Sequence, residues 1–226
     1  LRPSGNKGPL AVHIETFESY EDSAAWTWEH MALTRARVIA GPPAFAARIA
    51  TAVRDVLTRR RDVDRLLVDV ADMRARMVAA NKAAGPWNLR NRRGGLIDAE
   101  FIAQYLVLCH AHARTDLVTG DTVLAFEHLH RAGYLSAGDA AELIAATRLW
   151  RRLQQMLRVM GESDFAHVRA PETVKSALAR AAGEPDFAQL ETRMAERAAA
   201  TYAIFRRLIA QPAAALTEDG KTDEQD

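Results

Sequence analysis

RRGGLIDAEFIAQYLVL, residues 92–108, is a double glycine opening onto a segment whose first turn holds Asp98 and Glu100 and whose body is apolar almost all round. A helix that is hydrophobic on every side belongs in the middle of a bundle. Gly94 and Gly95 keep the backbone bare just before it, which predicts that something approaches that backbone closely. Free amides at a helix N-terminus attract anions, and Arg92 and Arg93 strengthen the pull, while two carboxylates in the first turn oppose a phosphate placed there. Asp98 and Glu100 therefore need cations beside them, either arginine or metal.

Outward from this stretch the pattern stays helical. Thr16 to Ala40 reads as one helix, with Trp28, Ala32, Arg35 and Ile39 on a stripe and Gly41-Pro42-Pro43 ending it. Further helices follow from Ala44 to Arg59 and from Val63 to about Ala80, the second with a seam of Leu66, Val70, Met73 and Met77. Ala83 to Gly95 is a loop carrying Trp87, Arg90, Arg92 and Arg93. After the central helix, Asp121 caps a short helix that closes at Gly133, and Ser136 with Asp139 forms a capping box for a long one. On that long helix Leu143, Ala146, Trp150, Leu153, Leu157 and Met160 share a face, with Arg148, Arg151, Arg152 and Arg158 largely on the others. Pro171 begins a short helix to Ala182, and Phe187, Leu190, Met194, Thr201, Phe205 and Leu208 mark a last amphipathic one. Thr217 to Asp226 is acidic and polar and reads as a C-terminal tail. No strand-like alternation of useful length follows residue 14, so the expected fold is all-α, a bundle of roughly seven helices.

The 226 residues suffice for one main fold, and 49% hydrophobic with 26% charged residues is ordinary for a soluble globular protein. A formal net charge of +1 gives no general case for nucleic acid or a membrane as partner. Cys109 is the only cysteine, which excludes an intramolecular disulfide and suits a reducing cytoplasm. No apolar run approaches the ~20 residues of a spanning helix. The first residue is Leu1, and LRPSGNKGPL reads as the end of a strand and a turn without the layout of a signal peptide, so the chain is expected to be cut from something longer.

WTWEHMALTRARV at 26–38, followed by RRGGLIDAEFIAQYL at 92–106, resembles glutamine synthetase adenylyltransferase, the bifunctional family that modifies and demodifies glutamine synthetase. In that family each of two similar halves pairs a nucleotidyltransferase domain with a helical domain, and the tryptophan-rich motif and FIAQYL resemble the C-terminal, adenylylating half. The likeness is good to about residue 110 and rests on helix pattern beyond it. Ala99 departs from the family's GG-x-x-D-x-E-F pattern, where a larger aliphatic residue is usual, but Asp98, Glu100 and Phe101 are in place.

The resemblance implies three segments: 1–14 as the end of the nucleotidyltransferase domain, 15–212 as the helical bundle and 213–226 as the polar tail. It implies transfer of AMP from MgATP to a tyrosine of glutamine synthetase, reversed in the other half by phosphorolysis. Mg²⁺ and ATP are then needed by the parent enzyme and not bound by this piece alone, which would lack the catalytic carboxylates. The implied partners are glutamine synthetase, a PII-type signalling protein and the preceding nucleotidyltransferase domain. A related reading is the helical domain of a PII uridylyltransferase, whose glycine motif is similar, and from a different class a pure interaction module remains open.

Phosphoryl transfer needs acids to hold Mg²⁺ and cations with amides to neutralise developing charge, and this chain offers only the second set. The candidates to face the nucleotide or the domain junction are Arg2, Ser4 and Lys7 in the first turn and Trp87, Arg93, Gly94 and Gly95 in the loop. Arg35 and Arg37 are expected to pair with Asp98 or Glu100 and hold the first helix on the central one, in preference to a direct nucleotide role. Such pairing would also remove the repulsion of a phosphate, so the two readings coexist. Glu100 and Gln104, four apart, are read as structural polar groups that need partners. Cys109 and His112 lack further metal ligands, so a satisfied core histidine is expected. The arginines at 148, 151 and 152 read as a solvated surface.

Overall fold

The computed structural model describes residues 8–9, 11–81, 85–161, 165 and 167–223, and all regular structure among them is helical. Ten α-helices follow in order: α1 (Ile14–Ser23), α2 (Thr27–Leu33), α3 (Pro43–Leu57), α4 (Val63–Ala80), α5 (Leu96–His110), α6 (Thr122–Arg131), α7 (Ala137–Val159), α8 (Glu172–Ala182), α9 (Phe187–Phe205) and α10 (Gln211–Asp223). The all-α bundle is as expected, with more helices than the rough seven. No helix among the described residues is long and apolar enough to cross a membrane.

Residues with a side-chain acceptor open several of these helices at the positions the sequence suggested. Asp121 accepts the amides of Val123 and Leu124, and Ser136 accepts that of Asp139 while donating to its carboxylate. Each such cap satisfies amides with no partner inside the helix and is worth about 1 kcal/mol. Gly183 closes α8 in the left-handed conformation.

The central segment is α5, and it is enclosed on all sides. Every residue from Leu96 to Cys109 except Phe101 is buried. One apolar core gathers around it from α2, α3, α4, α6, the start of α7 and the α9–α10 junction, with Val70, Ile102, Leu108, Phe126 and Leu143 at its heart. A second core joins Leu96 and the loop before it to the C-terminal half of α7 and to α8 and α9, through Trp87, Trp150, Leu178, Leu190 and Met194. The glycine pair sits where α5 passes from one core to the other.

Two expectations are corrected. The single helix over 16–40 is broken, because the Glu29 carboxylate reaches back to the Trp26 amide at 3.0 Å and starts a new helix at Thr27. This second helix ends at Leu33, so the supposed stripe dissolves: Trp28 is 45% exposed and Ile39 85%. The polar tail from 213 is helix as far as Asp223, with Ala213 buried and α10 packed on α4. A π-helical turn, Arg206–Ala210, leads into it, the Gln211 amide bonding to the Arg206 carbonyl. That wide turn admits Pro212, whose ring would collide with a carbonyl four residues back in a regular helix.

Gly94 has φ +71, and a Cβ there would lie 1.8 Å from the Ala198 carbonyl oxygen and 2.5 Å from its carbon. The close approach foreseen at the glycine pair is therefore the backbone of α9. At Gly95 a Cβ would lie 2.7 Å from the Leu89 carbonyl oxygen. Gly94→Ala is expected to destabilise the chain by about 3 kcal/mol or more, since rigid backbone must move. Gly133→Ala, at φ +81 with open space around it, should cost only about 1 kcal/mol. Urea unfolding of the two variants checks this, and equal losses would deny the close contact.

Candidate functional site

The loop before α5 is held by its own hydrogen bonds. Arg92 N–H donates to the Asn88 carbonyl at 3.0 Å, and Asn91 N–H to the Asn88 side chain at 3.0 Å. The first amides of α5 are engaged as well: Leu96 N–H donates to the Leu89 carbonyl at 2.9 Å and Ile97 N–H to that of Arg90 at 3.1 Å. Asp98 accepts the Gly94 amide at 2.5 Å. The Gly94, Leu96 and Ile97 amides are thus engaged within the chain and are not offered to a phosphate.

Arginine, not metal, answers the two acids. Arg74 of α4 donates from Nε to Asp98 and from Nη2 to the carbonyls of Asn91 and Arg92, at 3.1 and 3.2 Å. Both side chains of this pair are buried. Arg35 reaches Glu100 at 2.5 Å, with Glu100 buried and Arg35 part-exposed. Arg35 thus takes the role expected of it, and Arg74 takes one that was not foreseen. Its signal was available: Leu67, Val70 and Arg74 form the buried stripe of α4, so a charged residue occupies an apolar register position. Arg37 pairs with neither acid and turns to a surface groove beside α3. Gln104 is buried beside Glu100 on the same face of α5 and lines a small crevice with Thr34 and Arg35.

Trp87 is not a nucleotide platform. It is buried, stacked on Phe187 with ring centroids 5.3 Å apart, and its indole N–H donates to Glu191 at 3.1 Å. Arg92 is half-buried over the Trp150 ring, 5.5 Å from its centroid, and binds the Pro86 carbonyl at 2.6 Å; burial lowers its pKa. Arg93 differs. It is exposed, stands 5.6 Å over the Tyr202 ring, and has no carboxylate in ion-pairing distance among the described residues. Arg2, Ser4 and Lys7 lie outside the described residues. No group of three or more potential metal ligands occurs among those described. His112 binds the Cys109 carbonyl at 3.0 Å through Nδ1. Burial pushes the Cys109 thiol up to about 11, so it is an inert core thiol. Arg151 is tied to Asp121 and Thr122, and Arg152 to the Ala181 carbonyl.

A second polar cluster, invisible in the sequence, lies between α1 and α2. Glu21 is wholly buried, and neither carboxylate oxygen has a hydrogen-bond partner. His30 lies 3.5 Å away and is itself bonded through Nδ1 to Arg61 at 2.9 Å. Glu29 accepts the Tyr20 hydroxyl at 2.9 Å. Burial first, and repulsion by Glu29 second, raise Glu21 from 4.5 to about 7. Burial, and then the Arg61 charge, lower His30.

These arrangements set two expectations, both read by urea unfolding. Arg74→Met leaves Asp98 buried and uncompensated and should cost about 3–5 kcal/mol, whereas Arg35→Met, at a part-exposed pair, should cost roughly 1–2 kcal/mol. Glu21 is raised in the folded state, so its contribution to stability is present below its ordinary 4.5 and is lost as the pH rises through about 7. Glu21→Gln stays neutral and should therefore be more stable than the wild type by on the order of 2 kcal/mol at pH 8 and indistinguishable from it near pH 4.

Comparison with known proteins places this architecture. Residues 1–52 match the family described as glutamate-ammonia ligase adenylyltransferase, and residues 64–210 match the family described as GlnD PII-uridylyltransferase. Over 209 residues, 92% of the chain, it is 42% identical to a bifunctional glutamine synthetase adenylyltransferase/adenylyl-removing enzyme of Rhodopseudomonas palustris. The enzymes of the same description from Bradyrhizobium diazoefficiens and Xanthobacter autotrophicus are 43% and 42% identical, again across 92% of the chain. The chain spans about a fifth of the length of these relatives, 21% in each case. The match at 1–52 and the relatives along nearly the whole chain are glutamine synthetase adenylyltransferases, and on the match across 64–210 the chain belongs to the family described as GlnD PII-uridylyltransferase.

Proposed function

We propose that this chain is the helical part of a bifunctional enzyme that transfers AMP from MgATP to a tyrosine of glutamine synthetase and removes it by phosphorolysis. The observation that carries the reading is likeness to enzymes of that description across 92% of the chain. In this reading 1–14 end a nucleotidyltransferase domain and the bundle from 15 packs on it, in the cytoplasm, with glutamine synthetase as target and a PII-type protein as regulator.

Asp98 and Glu100 do not fit Mg²⁺. Each is closed by an arginine, so the metal-holding carboxylates are assigned to the preceding domain. The described loop contributes a cation. Arg93 is tethered by the Tyr202 ring, is uncompensated, and stands beside a turn that cannot shift without moving α9. A fixed guanidinium in such a place neutralises phosphate oxygens without reorganising as charge develops. Arg90, exposed on the same loop, adds to the field.

The test is the intact mass of glutamine synthetase after incubation with MgATP and this chain joined to its preceding domain. Gain of one AMP on a tyrosine supports the proposal, and no gain with both proteins folded and associating refutes it. Arg93→Ala should lower the transfer rate about tenfold or more while leaving the unfolding midpoint unchanged, and undiminished transfer would make the loop purely structural.

A further inference from the structure

Between α2 and α3 the chain leaves helical structure, and the segment 36–40 forms one wall of a groove of about 400 Å³. The floor is α3, with Ile49, Val53 and Arg54, and the far wall is 118–120. Three features of this groove have no use inside the described fold. The amides and carbonyls of 37–40 make no backbone hydrogen bond among the described residues. Ile39 is 85% exposed beside them. Arg37 and Arg54 are both exposed and make no ion pair or side-chain hydrogen bond among the described residues.

We infer that this groove binds an extended acidic and apolar segment of another polypeptide, laid along 37–40. Free main-chain donors and acceptors in a non-helical wall select an extended backbone, because a helix has none to give in return. The aliphatic floor at Ile49 and Val53 takes alternate apolar side chains, and a volume of this size admits two or three of them. Arg37 and Arg54, uncompensated at the rim, select carboxylates between those apolar residues and reject basic sequences. A small anion would engage the arginines and leave both the open backbone and the apolar floor unused. The walls of the groove belong to the α2–α3 connection and to the turn before α6, and none of its lining residues belongs to the loop before α5 or to α9.

The probe is a fluorescein-labelled, end-capped peptide of roughly six residues alternating leucine and glutamate, long enough to pass a four-residue wall at ~3.3 Å per residue, with a leucine and lysine peptide as control. Fluorescence anisotropy with the full chain should show the acidic peptide binding at least about tenfold tighter than the basic one. Arg37→Glu with Arg54→Glu should invert that order, and because both side chains are exposed and unpaired the double variant should melt with the wild type. Amide exchange at 38–40 should slow when the acidic peptide is added. Equal binding of the two peptides, binding unaltered by charge reversal, or 38–40 amides already protected in the chain joined to its preceding domain would each overturn the inference.

Discussion

At Gly94 the turn into α5 lies against the backbone of α9 at Ala198, too closely for any side chain to stand between them. Two consequences follow from that contact. The turn is forced into a left-handed conformation, and the next turn of α5 presents Asp98 back to the Gly94 amide. The same carboxylate takes Arg74 from α4, whose guanidinium also holds the carbonyls of Asn91 and Arg92. One buried acid thus ties together the loop, α4 and α5, while the glycine ties the loop to α9. Four residues beyond Ala198, on the same face of α9, Tyr202 receives Arg93. The position of that guanidinium is inherited from the backbone contact beside it.

Burial of a charged pair in the middle of a bundle is costly in itself, and its value lies in orientation more than in net stability. Apolar residues of similar size would fill the space at Arg74 and Asp98, but they would not fix the loop carbonyls. In this bundle the pair sits at the seam between two apolar cores, where α5 crosses from one to the other, and it defines their mutual register. Glu21 illustrates the opposite case. It is a buried carboxylate without donors, and burial raises its pKa to about 7, which makes the packing of α1 sensitive to pH near neutrality.

Much of this was legible in the residues. An apolar helix entered through two glycines and two acids announced both its central position and its need for cations, and the caps at Asp121 and Ser136 marked helix starts correctly. What escaped was non-local. The glycine pair signalled a close approach without saying whether a ligand or a helix makes it, because the Ala198 backbone lies far along the chain. Trp87 does lie in the loop, but its burial is not visible locally, because its partners Phe187 and Glu191 follow a hundred residues later. The break between α1 and α2 was hidden by continuous apolar spacing, although Glu29 three residues after Trp26 carried the signature of a new helix start. Arg74 shows a different lesson: a charge in an apolar stripe is a statement about a partner.

The likeness to adenylyltransferases and the structural use of the first-turn acids meet in the proposal that Asp98 and its arginine orient the loop beside a site whose chemistry is supplied by another domain. The direct test is the double variant Arg74→Met with Asp98→Asn, which removes both charges and keeps an acceptor for the Gly94 amide. It should be made in the chain joined to its preceding domain, measuring AMP transfer to glutamine synthetase beside helical content and unfolding. The expected result is a folded protein that transfers AMP within about tenfold of the wild type, ~1.4 kcal/mol in the barrier, since the pair acts only through the loop that carries Arg93. A variant that is fully folded yet has lost transfer by orders of magnitude would contradict it and return the buried pair to the reaction itself.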